Sequence, residues 1–241
     1  MAIFTAPITS VTAETLRNRI VRVRCPDGLP RFQAGQYLSL GDHGQDVRKP
    51  YSIASSPSEA ARTGELEFLI QVVEGESPGA HLPRLEAGRM LDLEGPGGTF
   101  LLPDGLHPHA AAFIGGGTGI APLRAMLHEL LDRDHGARLA VLQSARTPGE
   151  LCYAAELREL AADGRIALIE TVTRTAPPSW KGRRGRVTAA ELDELVDGPG
   201  TWCFVCGPDS LVEGVPLLLA KVGVPASQIR TEQWADAALA K

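Results

Sequence analysis

Long hydrophobic runs are absent from this chain of 241 residues, and aromatic residues make up only 5% of it. No uninterrupted apolar segment approaches the roughly 18 residues that a membrane helix needs, so we expect no membrane insertion. The first ten residues, MAIFTAPITS, lack a basic segment followed by an apolar one. We therefore expect no secretory signal and a cytoplasmic location.

An excess of positive charge is also missing. The chain has 24 Lys and Arg against 29 Asp and Glu, for a net charge of −5. Because nucleic-acid-binding domains are usually basic, we expect no nucleic-acid partner. Hydrophobic residues make up 44% and charged residues 22%, which favours two folded domains over disorder.

Cysteine is scarce as well, with four residues at positions 25, 152, 203 and 206. They form no disulfide framework and lack the C-x4-C-x2-C spacing of a plant-type iron–sulfur site. Cys203 and Cys206 lie in the apolar segment TWCFVC, which we interpret as a strand. There they would lie about 10 Å apart, beyond the reach of a disulfide. The six histidines show no metal-ligand spacing, so we expect no metal site.

Glycine and proline are abundant, and the first half of the chain alternates turns with short strands. The pattern predicts strands at Arg17–Cys25, Gln36–Leu40, Tyr51–Ala54, Glu65–Val73 and Arg89–Leu93. A short helix is predicted at His81–Leu85. An antiparallel β-barrel is the simplest fold for this half.

From Leu106 onward, strands alternate with helices. Strands are predicted at Ala110–Ile114, Leu139–Gln143, Ile166–Thr171 and Thr201–Val205, and helices at Pro122–Arg133, Glu150–Ala162, Ala189–Val196 and Ser210–Val222. This alternation predicts a parallel α/β sheet. The expected domains are a barrel at 1–104 and a nucleotide-binding α/β domain at 105–241.

A glycine-rich segment, GGGTGIAP at 115–122, follows a predicted strand and opens a helix. Glycines let the backbone approach a pyrophosphate, and the helix N-terminus supplies free N–H donors. We expect Gly116, Gly117 and Thr118 to contact a dinucleotide. The alternative is a tight strand-to-helix turn without a ligand.

The ends of the next strands indicate which dinucleotide binds. Sites for NAD commonly place a carboxylate after the second strand, whereas this chain has Ser144 and Arg146 there. Arginine suits a 2′-phosphate, and Arg174 and Arg183 follow near the third strand. The residues favour NADPH over NADH, although each arginine could also be a solvated surface charge.

A second motif, RKPYSIAS at 48–55, lies in the barrel half. With GGGTGIAP it resembles the ferredoxin–NADP reductase family of flavoenzymes. Four further stretches match that family in order: LEFLIQVV, HLPRLEAGRMLDLEGPGGTF, the Cys206-Gly207-Pro208 turn and the terminal Glu232-Gln233-Trp234. The resemblance spans nearly the whole chain and implies FAD rather than FMN.

The resemblance also implies roles for individual residues. Tyr51 would stack on the isoalloxazine ring, and Ser52 would hydrogen-bond near the flavin N5. The family's arginine before the tyrosine is replaced by Lys49, so either Arg48 or Lys49 would bind the pyrophosphate. Cys206 and Glu232 would lie by the nicotinamide. Trp234 matches the family's C-terminal aromatic residue, and it would cover the flavin ring, the adenine or neither, because seven residues follow it.

The implied catalytic residues are Ser52, Cys206 and Glu232. The implied cofactor-binding residues of the barrel half are Arg48, Lys49, Pro50, Tyr51, Ser52, Gln71, Val72 and the backbone donors of Gly79, Ala80, His81 and Leu82. Those of the second half are Gly116, Gly117, Thr118, Ser144, Arg146, Arg174, Arg183, Gly207, Pro208 and Trp234.

The function that the resemblance implies is hydride transfer between NADPH and bound FAD, with single electrons passed to or from ferredoxin, flavodoxin or another carrier. Because the chain lacks iron–sulfur ligands, that carrier is expected to be a separate protein. Two alternatives stay open. One is an NAD(P)H:flavin reductase that uses free flavin, and the other is the electron-transfer reductase subunit of a multicomponent complex.

Overall fold

The computed structural model describes residues 3–25, 28, 30–72, 77–106, 109–133 and 136–233. The chain divides into two compact units. The first consists of residues 1–102 together with 124–133, and the second of residues 103–123 together with 134–241. The assignment of 1–104 and 105–241 to separate cofactors stays a prediction.

Six antiparallel strands form the sheet described in the first unit. They are β1 (Ile3–Ala13), β2 (Asn18–Arg24), β3 (Tyr37–Asp42), β4 (Lys49–Ser52), β5 (Glu65–Gln71) and β6 (Met90–Gly97), in the order β4-β3-β6-β1-β2-β5. A bridge between Ile53 and Phe68 links the two edge strands. The N–H of Ala54 also donates to the carbonyl of Glu67 over 2.7 Å. The sheet therefore curls into the predicted barrel.

Alternation along β2 shows why these residues form a barrel strand. Val21 and Val23 are fully buried, whereas Arg22 and Arg24 are exposed. Successive side chains of a strand point to opposite faces, so one face enters the core and the other meets solvent. The valines pack in a core cluster with Leu66 and other apolar side chains.

The predicted helix at His81–Leu85 is wrong. Residues 79–82 form a turn in which the N–H of Leu82 donates to the carbonyl of Gly79, and no helix follows. Pro83 disfavours helical backbone at the residue before it, and five residues are too few to offset the cost of nucleation.

A helix that the pattern analysis missed, α1 (Pro57–Thr63), lies between β4 and β5. Its signals are all local. Ser56 and Glu59 form a reciprocal capping box, and Pro57 occupies the first turn. Gly64, with φ 73°, ends the helix in the left-handed conformation. Strand β1 was also not predicted individually.

The second unit contains a parallel sheet. Its described strands are β7 (Ala111–Gly116), β8 (Leu139–Ala145), β9 (Ala167–Val172), β10 (Arg183–Arg184), β11 (Trp202–Gly207) and β12 (Ile229–Gln233), in the order β10-β9-β8-β7-β11-β12. The helices are α2 (Ile120–Asp132), which belongs to the first unit from residue 124 onward, and α3 (Ala154–Ala162), α4 (Ala189–Leu195) and α5 (Asp209–Lys221) of the second unit. The predicted parallel α/β architecture is confirmed.

Two details of this unit differ from the sequence pattern. The helix predicted from Glu150 begins at Ala154, because a short 3-10 turn at Pro148–Glu150 precedes it and Tyr153 adopts a left-handed φ of 57°. Strands β10 and β12 were not predicted. Their residues are exposed or half-buried, so they carry no apolar signal.

The four cysteines are free and buried, in agreement with the expected lack of disulfides. Among the described residues, no helix is both long and apolar enough to cross a membrane. The same residues contain no group of three or more His, Cys, Asp or Glu side chains that could hold a metal ion.

Candidate functional site

The strand order of the second unit reverses at β7. Strands β8, β9 and β10 are added in sequence on one side of β7, and β11 and β12 are added on the other. Ligands of open α/β sheets bind in the crevice at such a switch point. Here the turn Gly117–Gly119 leads from β7 into α2, and no side chain caps it. Helix α5, which follows β11, also lacks a side-chain cap at Pro208. Both N-termini therefore present free N–H groups to an anion.

Gly119 is required by the close approach of two backbone segments. A Cβ at this position would lie 2.2 Å from the carbonyl oxygen of Cys206 and 2.8 Å from the nitrogen of Gly207. Gly117 has a different requirement, since its φ is +58° and the space around it is open. A Cβ on Gly116 would lie 3.0 Å from Pro208. The predicted residues Gly116, Gly117, Gly207 and Pro208 are thus brought together.

Cys206 and Glu232 are register partners on β11 and β12. The Cys206 sulfur is fully buried and donates to Oε2 of Glu232 over 3.9 Å. Burial raises the pKa of Glu232 to about 7, although the hydrogen bond from Cys206 acts in the opposite direction. The pair therefore combines a thiol with a carboxyl group that exchanges its proton near neutral pH.

In the barrel, Tyr51 contacts the side chain of His81. The phenol oxygen lies 2.7 Å from Nε2 of His81, and the rings are stacked with 16° between their planes. Burial raises the pKa of Tyr51 above its ordinary value. Burial, and then the positive charge of Lys49, lower the pKa of His81 to about 4. Both rings are consequently neutral at neutral pH.

The structure distinguishes Arg48 from Lys49. Arg48 donates from Nε to Glu94 over 3.2 Å and from NH1 to the carbonyl of Gln45 over 3.1 Å. Lys49 is exposed, and none of the described carboxylates forms an ion pair with it. By strand alternation Lys49 shares a face of β4 with Tyr51, whereas Pro50 and Ser52 share the other. Lys49 is therefore the cation placed beside the aromatic ring.

The turn at 79–82 supplies fewer backbone donors than predicted. The N–H of Leu82 is used within the turn, where it donates to Gly79 over 3.0 Å. Within the described residues, the N–H groups of Ala80 and His81 have no such partner. Gly79 has a φ of +133°, which favours glycine. Gln71 is half-buried at the end of β5, and Val72 is buried.

At the carboxyl ends of β8 and β9, Ser144 is the register partner of Gly116, and Arg146 follows directly. The N–H of Arg174 donates to the carbonyl of Arg146 over 2.8 Å, which fixes these two residues side by side. Thr118 is buried in the neighbouring turn. The structure therefore brings Ser144 and the two arginines to one edge of the sheet.

Arg183 points elsewhere. Its NH2 donates to both carboxylate oxygens of Glu194, over 3.0 and 3.1 Å. The carbonyl of Glu194 accepts from Arg138, which lies just before the start of β8. The side chain of Arg183 is thus engaged by Glu194, although its backbone lies beside Thr171 near the carboxyl end of β9. Trp234 lies outside the described residues.

Comparisons with known proteins agree with this geometry. The Oxidoreductase FAD-binding domain model matches residues 6–101, and the Oxidoreductase NAD-binding domain model matches residues 113–216. Ferredoxin–NADP reductase B of Sorangium cellulosum is 34% identical over 212 residues, which are 84% of this chain and 85% of that protein. The chain belongs to the ferredoxin–NADP reductase family of flavoenzymes.

Two further similar proteins are longer than the part that this chain matches. The reductase component of propane 2-monooxygenase from Mycolicibacterium smegmatis is 30% identical over 82% of this chain and 58% of that protein. The Amycolatopsis cytochrome P450 reductase GcoB has a TM-score of 0.85 at 26% identity, over 98% of this chain and 71% of the other. This ferredoxin–NADP reductase family member is therefore an oxidoreductase that binds FAD and a pyridine nucleotide.

Two features of this family member escaped the sequence analysis. The side chain of His81 was not singled out, because only its backbone was matched to a motif. The sequence pattern predicts Glu150 as the start of a helix, whereas in the structure its carboxylate lies 3.0 Å from NH2 of Arg146. An acidic residue four positions after an arginine was the available signal.

Proposed function

We propose that this flavoenzyme transfers hydride between NADPH and bound FAD, and single electrons to or from a separate carrier protein such as ferredoxin or flavodoxin. The observation that carries the proposal is the glycine-lined approach of the β7 turn to Cys206 and Gly207. This approach brings together two helix N-termini that no described side chain caps, and the open space at Gly117 beside them suits a dinucleotide pyrophosphate.

The first unit fits a flavin by the chemistry of its donors. Tyr51 offers an aromatic face that is only half-buried, and Lys49 places a positive charge on the same face of β4. The N–H groups of Ala80 and His81, which donate to none of the described residues, suit a phosphate oxygen. We therefore assign the ring to Tyr51 and Ser52, and the pyrophosphate to Lys49 rather than to Arg48.

The bound flavin supplies acceptance of a hydride and its release as single electrons. The residues of this chain position and shield the reactants. Cys206 and Glu232 are assigned to the nicotinamide, where a buried thiol excludes water and donates to Oε2 of a carboxyl group whose pKa burial raises to about 7. Strong acid–base catalysis by side chains is not required, because orientation of the nicotinamide carbon against the flavin supplies most of the rate.

The preference for NADPH rests on Arg146 and Arg174, whose backbones are hydrogen-bonded to each other. Arg146 is half-buried and Arg174 is exposed, and both follow the carboxyl ends of their strands, β8 and β9. A 2′-phosphate accepts charge-assisted hydrogen bonds from such groups. We leave Arg183 out of this site because it is paired with Glu194.

The proposal is tested first by the visible spectrum of the desalted protein, with the released flavin identified. A near-stoichiometric flavin that is FAD and that NADPH bleaches supports it. A colourless protein that oxidises NADPH only after flavin is added would instead show that flavin is the substrate. Reduction of added ferredoxin and flavodoxin then measures the second half-reaction.

Nucleotide choice is tested with Arg146→Ala, and Arg183→Ala is the matched control. Loss of a charge-assisted contact costs about 1.5–3 kcal/mol, so kcat/KM for NADPH should fall about 10- to 150-fold with that for NADH nearly unchanged. Arg183→Ala should alter neither. Equal loss with both nucleotides in Arg146→Ala would refute the assignment.

A second candidate function is that of a reductase component in a multicomponent oxygenase. It is favoured by the similarity to the propane 2-monooxygenase reductase component. The two functions differ in the acceptor. If the carrier is reduced rapidly only when its oxygenase is present, the second candidate is favoured. Rapid reduction of isolated ferredoxin or flavodoxin would favour the first.

A further inference from the structure

Glu150 is bound to the arginine that the proposed function assigns to the 2′-phosphate. Its Oε1 lies 3.0 Å from NH2 of Arg146, with the two side chains 21% and 40% exposed. We infer that Glu150 is a specificity-determining residue that competes with the 2′-phosphate for Arg146, and so sets how strongly the site prefers NADPH over NADH. This inference rests on the proposed nucleotide site.

The backbone holds Glu150 in this position. The N–H of Glu150 donates to the carbonyl of Thr147 over 3.0 Å, which closes a tight turn directly after Arg146. The next residues are anchored in the core, since Cys152 is fully buried and its carbonyl accepts from Nε2 of Gln143 over 2.7 Å. The carboxylate therefore stays beside Arg146.

The second carboxylate oxygen of Glu150 points to a role other than stability. Oε2 is shielded from solvent and has no hydrogen-bond partner among the described residues. A shielded oxygen without a partner costs free energy, so native structures keep such groups rarely and often at binding sites. The ion pair with Arg146 therefore leaves Oε2 of Glu150 without a hydrogen-bond partner among the described residues.

Charge gives the expected direction of the effect. A phosphate bound to Arg146 would lie close to the negative carboxylate, and like charges repel. NADPH therefore has to displace Glu150 or share Arg146 with it, whereas NADH meets no such competition. Arg174 lies next to Arg146 and forms no ion pair with a described carboxylate. Its guanidinium therefore attracts the phosphate without competition from such a carboxylate.

The test uses Glu150→Gln, which keeps the shape of the side chain and removes its charge. Binding of 2′,5′-ADP and of 5′-AMP to the purified flavoprotein is measured by calorimetry. The affinity for 2′,5′-ADP should rise about three- to tenfold, and that for 5′-AMP should change less than about twofold. Glu194→Gln is the matched control, since it frees Arg183 from a pair of the same 3.0 Å length and should change neither affinity.

Two results would overturn the inference. Weaker binding of both nucleotides in Glu150→Gln would mean that Glu150 only supports the turn, and selective loss of 5′-AMP would mean that it binds the ribose. In the double variant Arg146→Ala/Glu150→Gln the increase in affinity for 2′,5′-ADP should vanish, because the guanidinium for which Glu150 competes is absent.

The single variant Arg146→Ala separates this inference from the proposed function. If Arg146→Ala leaves binding of 2′,5′-ADP unchanged, the proposed 2′-phosphate site itself fails. If Arg146→Ala weakens that binding and Glu150→Gln has no effect, the role of Glu150 alone is refuted.

Discussion

Tyr51 and His81 form a neutral pair in the barrel, with 2.7 Å between the phenol oxygen and Nε2 of the imidazole. His81 is buried, and its pKa of about 4 keeps the ring uncharged at neutral pH. The tyrosine expected to carry the flavin ring is therefore oriented by a residue that adds no charge beside it. The pair links a motif on β4 to the turn at 79–82.

Replacement of His81 by phenylalanine should destabilise the protein by about 1–3 kcal/mol, because the hydroxyl of Tyr51 loses its partner. The ring stacking is retained in this variant. Urea unfolding measures the loss, and Tyr51→Phe/His81→Phe, which removes both polar groups, should recover part of it. Equal stability of the double and single variants would contradict a role for the hydrogen bond.

The same pair predicts a response to acid. The pKa of His81 is lowered from 6.5 to about 4, so the unfolded state binds the proton first as the pH falls. The wild-type protein should therefore lose stability between about pH 6.5 and 4 relative to His81→Phe. Urea midpoints across that range test the prediction, and parallel curves for the two proteins would refute it.

Glu232 predicts a pH dependence of stability that is opposite in sign to that of His81. Its pKa is raised from 4.5 to about 7 by burial, so the folded state keeps the proton longer than the unfolded state. Stability from the protonated carboxyl group is present below about pH 4.5 and is lost as the pH rises to about 7. Glu232→Gln should not show this loss. The measurement is the difference in urea midpoint between the two proteins at about pH 5 and about pH 8.

Sequence patterns predicted both sheets because apolar periodicity is a local signal. Val21 and Val23 alternate with arginines, and the fully buried β7 reads as an apolar run before a glycine turn. Strand β12 carries no such signal, since its residues are exposed or half-buried at the sheet edge. Its place beside β11 is decided by tertiary pairing.

The candidate site was predictable where a motif fixes the backbone, and less so where side chains choose partners. The glycine turn followed from GGGTGIAP alone. The choice between Arg48 and Lys49 required Glu94, which is 46 residues away from Arg48 in the chain. The pairing of Arg183 with Glu194 is likewise a contact that sequence spacing cannot show.

Gly119 is expected to tolerate no side chain. In Gly119→Ala the new Cβ would lie 2.2 Å from the backbone oxygen of Cys206, so two backbone segments must separate. A loss of at least about 1–3 kcal/mol is expected, together with weaker nucleotide binding. Gly214→Ala is the control, because this α5 glycine has open space and alanine should stabilise the helix by up to about 1 kcal/mol. Similar thermal midpoints for the two variants would contradict the packing argument.

Arg124 is the buried cation on which the barrel unit depends. It donates from NH1 and NH2 to the two carboxylate oxygens of Glu59, over 3.1 and 3.0 Å, and from NH1 to the carbonyl of Ala54 over 2.9 Å. Ala54 follows the PYS motif by two residues, and Glu59 caps α1. Burial raises the pKa of Glu59, but the charge of Arg124 and the hydrogen bond from Ser56 outweigh it and lower that pKa overall.

Arg124→Ala would remove the buried cation from the carbonyl of Ala54 and from the half-buried carboxylate of Glu59, and a loss of about 3 kcal/mol is expected on urea unfolding. Arg133, directly after the end of α2, provides the control. Its pair with Glu129, an i,i+4 contact of 3.0 Å, leaves the arginine 65% exposed, so Arg133→Ala should cost less than about 1 kcal/mol. If the two variants lost the same amount, the stability of the barrel would not depend on burial of the Arg124–Glu59 pair. A larger loss in Arg124→Ala, accompanied by release of flavin at a urea concentration where Arg133→Ala retains it, would show that this pair holds the segment after Tyr51 in place.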